Sequence, residues 1–407
     1  MPRTVSLALC LMWLSPLAAD DWPHFRGPGL TNTSHEVNWA PTALEPEPRI
    51  AWKSDIGIGY SGPAIVGDAV YVMGFADDQE HVRRLDARTG AEVWIRSYGG
   101  AKIDTLNAGG PGATPTVAGD VLYTNGREGQ LHCLKTSDGS VVWSIKLPDA
   151  YGTKVPEWGF TTSPLLIERK IIVDAGVLVA FDAETGEEIW KSDVAHKPGY
   201  GTPTPFEFDG EMYLAHLNND GVSVVKLSDG TEVAFYAMEA QFDTAGASPI
   251  VKGDTLWVSV GYDGYCALLK FTGASLEEIY RNKRLKNQFS NSILIGEYLY
   301  GLTGNTNHGR NCALVCMKHD TGEVAWRQRE VGFGSLVAAD GHLIFLNDTG
   351  AAAVIPANPA KFEYVSKGNV LDGECWTAPV LANGRLYCRN SEGTLVAVDL
   401  ARPSARE

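Results

Sequence analysis

Apolar residues along this chain come in short alternating runs cut by Gly- and Asp-centred turn signals, with no sustained helical period between capping residues. This pattern predicts short β-strands joined by tight hairpins. Two phrases recur in it. One runs from an acidic or polar residue through a Thr-Gly or Asp-Gly turn to an aromatic residue, as in Asp86 to Trp94 (DARTGAEVW), Lys135 to Trp143, Asp182 to Trp190, Lys226 to Phe235 and Lys318 to Trp326. The other starts on a small residue, often followed by Pro, and continues as an apolar run, a polar turn and an aromatic-rich strand. It begins near Gly62, Ala113, Thr162, Gly201, Ala247, Asn291, Ser335 and Thr377.

Eight starts at roughly 40 to 50 residues apart have the period of four-stranded blades, so the chain is expected to be all-β, an eight-bladed β-propeller. Each unit is too small to bury its own apolar face and must stack on its neighbours. Eight fourth-strand aromatics accompany the starts: Trp52, Trp94, Trp143, Trp190, Phe235, Tyr280, Trp326 and Tyr364. The two series are out of phase. Arg49 to Asp55 (RIAWKSD) reads as a fourth strand before any first strand, and Gly393 to Asp399 reads as a third strand with nothing after it. The N-terminal strand is therefore expected to complete the last blade and remove an open sheet edge. Within the phrase, Gly supplies positive φ at the hairpin and the aromatic is expected to fill the seam between blades. Trp52, Trp94, Trp143, Trp190 and Trp326 are the structural docking residues on this reading.

Composition agrees: 44 Gly and 21 Pro among 407 residues suit many turns. Arg3, the apolar run Val5 to Leu14 and Leu17-Ala18-Ala19 predict a cleaved signal peptide over 1–19, hence a periplasmic or secreted protein without a stable membrane anchor. The remainder divides into an N-terminal extension at 20–48, one propeller domain at 49–400 and a tail at 401–407. A net charge of −15 argues against phosphate-backbone binding, so nucleic acid is not an expected partner, and a monomer is expected. The cysteines read as buried thiols: Cys133, Cys316 and Cys388 occupy slots held elsewhere by Ala or Val. Cys312 and Cys316 are too far apart on one strand to bridge, while Cys266 and Cys312, at matching places in adjacent blades, leave one cross-blade disulfide open.

The phrase Asp-Ala-x-Thr-Gly-x-x-x-Trp at Asp86 to Trp94 and Asp182 to Trp190 resembles the tryptophan-docking motif of the pyrroloquinoline-quinone (PQQ) type eight-bladed propellers, over about 49–399. That superfamily includes quinoprotein dehydrogenases, the outer-membrane assembly scaffold BamB and exported PQQ-like repeat proteins. Asp21 to Pro28 (DWPHFRGP) and Trp158 to Pro164 (WGFTTSP) resemble the last group. The motif marks blade seams and so implies fold more than function. The resemblance to the dehydrogenases implies PQQ held against a Trp with Ca²⁺ under Glu, Asn and Asp ligands, and commonly a pair of adjacent cysteines. This chain has no Cys-Cys pair and no Cys-x-x-Cys-His site.

Long loops fall on one face, where sites usually sit: 98–112, 148–161, 283–290, 303–311 and 368–376. From them Trp158, Glu157, Trp376, Glu374, Asp104, Lys286 and Arg310 are the ligand-binding candidates at the channel mouth; the opposing reading has the two Trp rings plug the axis and the charges solvated. Gly57 to Gly62 matches a dinucleotide fingerprint but precedes a strand. Scattered His216, His308 and His319 lack ligand spacing. The reading is an exported, non-catalytic propeller that binds a protein or other ligand through its loop face, in one form a BamB-like scaffold. No cofactor, catalytic residue or metal is expected; the alternative is a PQQ- and Ca²⁺-dependent dehydrogenase of alcohols or sugars.

Overall fold

The computed structural model describes residues 21–102, 107–306 and 311–402. The segment 1–19, expected as a signal peptide, lies outside them, as do Asp104 and Arg310. Eight antiparallel sheets follow one another around a ring, each in the order first to fourth strand. Blade 1 consists of Ala64–Val66, Ala69–Ala76, Gln79–Asp86 and Glu92–Gly99. Blade 8 pairs Val380–Ala382, Arg385–Arg389 and Thr394–Asp399 with Ile50–Asp55 from the other end of the chain, in the sheet order that closes the ring.

A single local device repeats at the seams. In seven blades the fourth strand carries a bulge directly before the docking position, where two residues oppose one on the third strand. The bulge leaves Val93, Val142, Ile189 and Ile279 unpaired and pointing to solvent, which accounts for much of the exposed aliphatic surface of the outer strands. It also turns the next residue toward the following blade. There each indole N–H donates to a carbonyl beyond the seam: Trp52 to Ala87, Trp94 to Thr136, Trp143 to Ala183, Trp190 to Leu227 and Trp326 to Asn358, at 2.8 to 3.1 Å. Tyr280 does the same through its hydroxyl to His319 at 2.7 Å.

The turn Gly answers to this contact as well as to the hairpin. Gly186 has φ +74°, and a Cβ there would stand 2.7 Å from the Trp143 ring; at Gly90, φ +73°, it would stand 2.6 Å from Trp52. Only a residue without a side chain accepts both demands. Asp182 fixes the turn by accepting from the backbone N–H groups of Glu184 and Thr185, both at 2.9 Å, so the phrase is one unit of turn and dock.

Two expected aromatics sit elsewhere. In blade 4 the position four past Gly230 is Ala234, buried against Val224, and Phe235 is turned outward, 39% exposed and stacked on His196. In blade 7 Tyr364 precedes the fourth strand Ser366–Asn369 and is 44% exposed. Ser366 holds the docking register opposite Val354, without a bulge. The space an aromatic would fill is taken by the N-terminal extension: Ser366 Oγ donates to Pro41 O at 2.5 Å, Leu44 is buried in the blade 7/8 core, and buried Trp39 lies edge-on to His342.

The extension then adds a fifth, parallel strand, Thr33–Ser34, to the innermost strand of blade 7, Gly334–Ala339. The six cysteines of the described residues are all buried thiols, Cys266 and Cys312 included. Burial pushes Cys133, Cys266, Cys312 and Cys316 up to about 11, which keeps them protonated.

Candidate functional site

The starts of the innermost strands surround an axial cavity of about 560 Å³. Small residues there, Gly62, Thr114, Ser163 and Ala378 among them, hold the channel open, while the loops entering these strands bring aromatic rings to its mouth. Tyr60, Tyr200 and Trp376 each stand three residues ahead of a Pro that opens a first strand, and Phe289 holds the same place before Ser292. That regularity was present in the recurring second phrase, and it is the signal that finds Tyr60, Tyr200 and Phe289, which the loop-length argument misses.

At the far end the N-terminal segment forms the floor. Trp22 exchanges backbone hydrogen bonds with Ile65 of blade 1 at 2.7 and 2.9 Å, Pro23 O accepts from Val117 of blade 2, and Asn32 O accepts from Ala338 of blade 7. Between these anchors Trp22, Phe25 and Arg26 face the cavity. Arg26 is 5% exposed and donates through Nη1 to Thr204 Oγ1 at 3.1 Å and to Pro249 O at 3.4 Å. No carboxylate of the described residues pairs with it, its Nε is buried without a partner among them, and burial lowers its pKa to about 10.

On the wall Arg127 donates through Nη1 to Gly110 O at 3.1 Å, with Nε and Nη2 buried and unpartnered. Buried Glu80 accepts from the Arg127 backbone N–H and from Tyr98 Oη, both at 2.8 Å, and loss of hydration raises its pKa.

Of the sequence candidates, Trp158, Glu157 and Trp376 line the cavity. Trp376 stacks on Tyr60 at 5.5 Å and lies 5.3 Å from Phe289, so its ring is already engaged. Trp158 has no ring partner among the described residues, and burial pushes the hydroxyl of neighbouring Tyr200 up to about 12. Glu374 stands behind the wall and accepts from Tyr60 Oη at 2.7 Å; burial and this carboxylate raise the Tyr60 pKa. Lys286 is turned away from the cavity toward the carbonyl of Tyr262, and burial lowers its pKa.

Among the described residues Glu157 and Asp243 are the acids that line the cavity, and both are exposed. Among the described residues no three His, Cys, Asp or Glu side chains converge on a point that could hold a metal ion. A quinone bound over Ca²⁺ would need several oxygen ligands at one point. A second space of about 10 Å³, between blades 3 and 4, adjoins the buried His216–Asp174 pair and is large enough only for roughly one water. No helix of the described residues is long and apolar enough to cross a membrane.

Similarity to known proteins points the same way for the fold. A BamB of Yersinia pestis is 23% identical over 363 residues, 86% of this chain and 77% of that one. The dehydrogenase subunit of a quinone alcohol dehydrogenase from Komagataeibacter europaeus is 24% identical over 300 residues, and this chain spans only 34% of its length. Among solved structures, BamB from Moraxella catarrhalis matches with a TM-score of 0.58 at 15% identity, covering 87% of this chain and 99% of that one. The quinohemoprotein alcohol dehydrogenase of Comamonas testosteroni matches with a TM-score of 0.65 at 14% identity, covering 95% and 82%. A family model described as outer membrane protein assembly factor BamB matches residues 78–328, more than half of the chain. With that match and its eight four-stranded blades, the chain belongs to the PQQ-like β-propeller family.

Proposed function

We propose that this chain is an exported binding propeller that takes up a ligand non-covalently in its axial cavity, through the loop face. The observation that supports it is the cavity itself: about 560 Å³, closed below by residues 22–26 and walled by aromatic rings with hydroxyl, amide and charged side chains between them. Pockets of this size and lining typically bury most of a small ligand. No nucleophile–base pair reaches the cavity among the described residues, so binding rather than covalent chemistry is the reading.

The test is a thermal-shift screen of small acids, sugars and short peptides against the wild-type chain and Ala378→Trp, whose indole would intrude into the cavity. Ligands that raise the melting temperature of the wild type and not of the variant support the reading. Ligands that stabilise both equally, or turnover in a dye-reduction assay with PQQ and Ca²⁺, would refute it.

A scaffold role is the second reading, favoured by the match that runs through 86% of this chain and 77% of the Yersinia pestis BamB. Under it the loop face would hold a protein segment.

A further inference from the structure

We propose that the axial cavity is an acidic-saccharide site, with the sugar carboxylate held by Arg26 and its ring faces laid against Trp158 and the neighbouring mouth aromatics. This rests on the binding reading above and names its ligand class.

The first observation is a buried cation without a counter-ion among the described residues. Arg26 is 5% exposed, uses only Nη1 in hydrogen bonds to uncharged partners, and stands at the floor of the cavity. A guanidinium left unpaired in a low-dielectric site is costly, and a carboxylate in the cavity would relieve it with a charge-assisted pair. The chain carries a net charge of −15, so an anion is not drawn in by the overall field and must be recognised locally.

The second observation is what surrounds that cation. Trp158, Tyr200, Phe242 and Tyr262 offer ring surface, and hydroxyl and amide groups such as Ser163, Ser290 and Asn291 alternate with them around the wall. Ser290 Oγ is buried with no partner. Sugar rings present apolar C–H faces to aromatic rings and a rim of hydroxyls to such polar groups, so the lining is complementary to both. A flat aromatic acid, even stacked on Trp158, would leave those polar groups unpaired.

The experiment is calorimetric titration of the full chain with trigalacturonate, with the same trisaccharide fully methyl-esterified, and with PQQ. Trigalacturonate is expected to bind, with the ester at least about tenfold weaker because the charge-assisted pair is lost. Arg26→Gln is expected to bring the acid down to the affinity of the ester. The acid-to-ester comparison uses the unaltered chain, so it decides the matter even if Arg26→Gln fails to fold. Equal binding of acid and ester, no binding of either, or PQQ binding more tightly than the trisaccharide would overturn the assignment. If neither sugar binds but the thermal-shift screen still yields ligands that Ala378→Trp abolishes, the saccharide assignment falls while the binding-propeller reading stands.

Discussion

The indole N–H of Trp52 donates to the carbonyl of Ala87 at 2.9 Å, although Trp52 belongs to the last blade and Ala87 to the first. The strand that completes the ring is thus also the one that docks on the blade where the ring began. Arg389 reinforces this seam from the inside, donating to Ser61 O, Met73 O and Gly57 O at 2.8 to 3.1 Å.

Closure at this seam makes Trp52→Ala costly. Trp52 is 7% exposed, so its removal is expected to destabilise the fold by about 3 to 5 kcal/mol. Urea unfolding followed by circular dichroism measures it. An unchanged midpoint would mean that the ring does not depend on its terminal strand.

Trp190→Ala and Phe235→Ala should separate docking from decoration. Trp190 is 6% exposed and donates to Leu227 O at 2.9 Å, so its loss is expected to cost about 3 to 5 kcal/mol. Phe235 lies at the surface stacked on His196, and its loss is expected to cost under about 1.5 kcal/mol. Both variants, while folded, should retain cavity binding. Chemical denaturation of the pair gives the comparison, and equal losses would contradict the bulge geometry.

These two positions also show how much was legible in the sequence. The blade count, the closing strand and five docking Trp residues could be read because the turn, the bulge and the aromatic lie within one short stretch of chain. Phe235 misled because the bulge counts four positions from Gly230 and lands on Ala234. Tyr364 misled because blade 7 fills its seam with Trp39 to Leu44, a contact across more than three hundred residues that no local phrase announces. For the same reason Arg26 stayed hidden: its role depends on Thr204 and Pro249, brought to it only by the closed ring. Trp158 and Trp376 were visible as loop aromatics; of the charges chosen with them Glu157 lines the cavity, Glu374 stands behind its wall and Lys286 is turned toward Tyr262, while Asp104 and Arg310 lie outside the described residues.

Gly186→Ala and Trp143→Ala are expected to be non-additive. The added Cβ would meet the Trp143 ring at 2.7 Å, and that clash disappears when the ring is removed, leaving only the strain of φ +74°. A double-mutant cycle in urea should return a coupling of roughly 0.5 to 3 kcal/mol. Simple additivity would show that the ring does not rest on the turn.

Acid should weaken the protein through His132. It is 5% exposed against the Tyr98 ring, and burial, aided by Arg96, lowers its pKa to about 4 from 6.5. The folded state therefore binds fewer protons than the unfolded one between those values, and stability is lost as pH falls from about 6.5 toward about 4. The full contribution is of the order of 3 kcal/mol at 1.36 kcal/mol per unit. Urea midpoints at pH 7 and pH 4.5 for the wild type and His132→Gln should show a smaller pH drop in the variant. An equal drop would remove His132 from the explanation.

Binding inside the ring rather than on its outer strands is most directly tested by hydrogen–deuterium exchange of the intact chain with and without saturating trigalacturonate, or the strongest ligand from the thermal-shift screen. Protection is expected in 22–34, 107–114, 157–163 and 376–380, the segments that floor and wall the cavity, with Glu92–Gly99 and the other outer strands unchanged. Protection confined to outer strands, with the N-terminal floor exchanging as before, would contradict it.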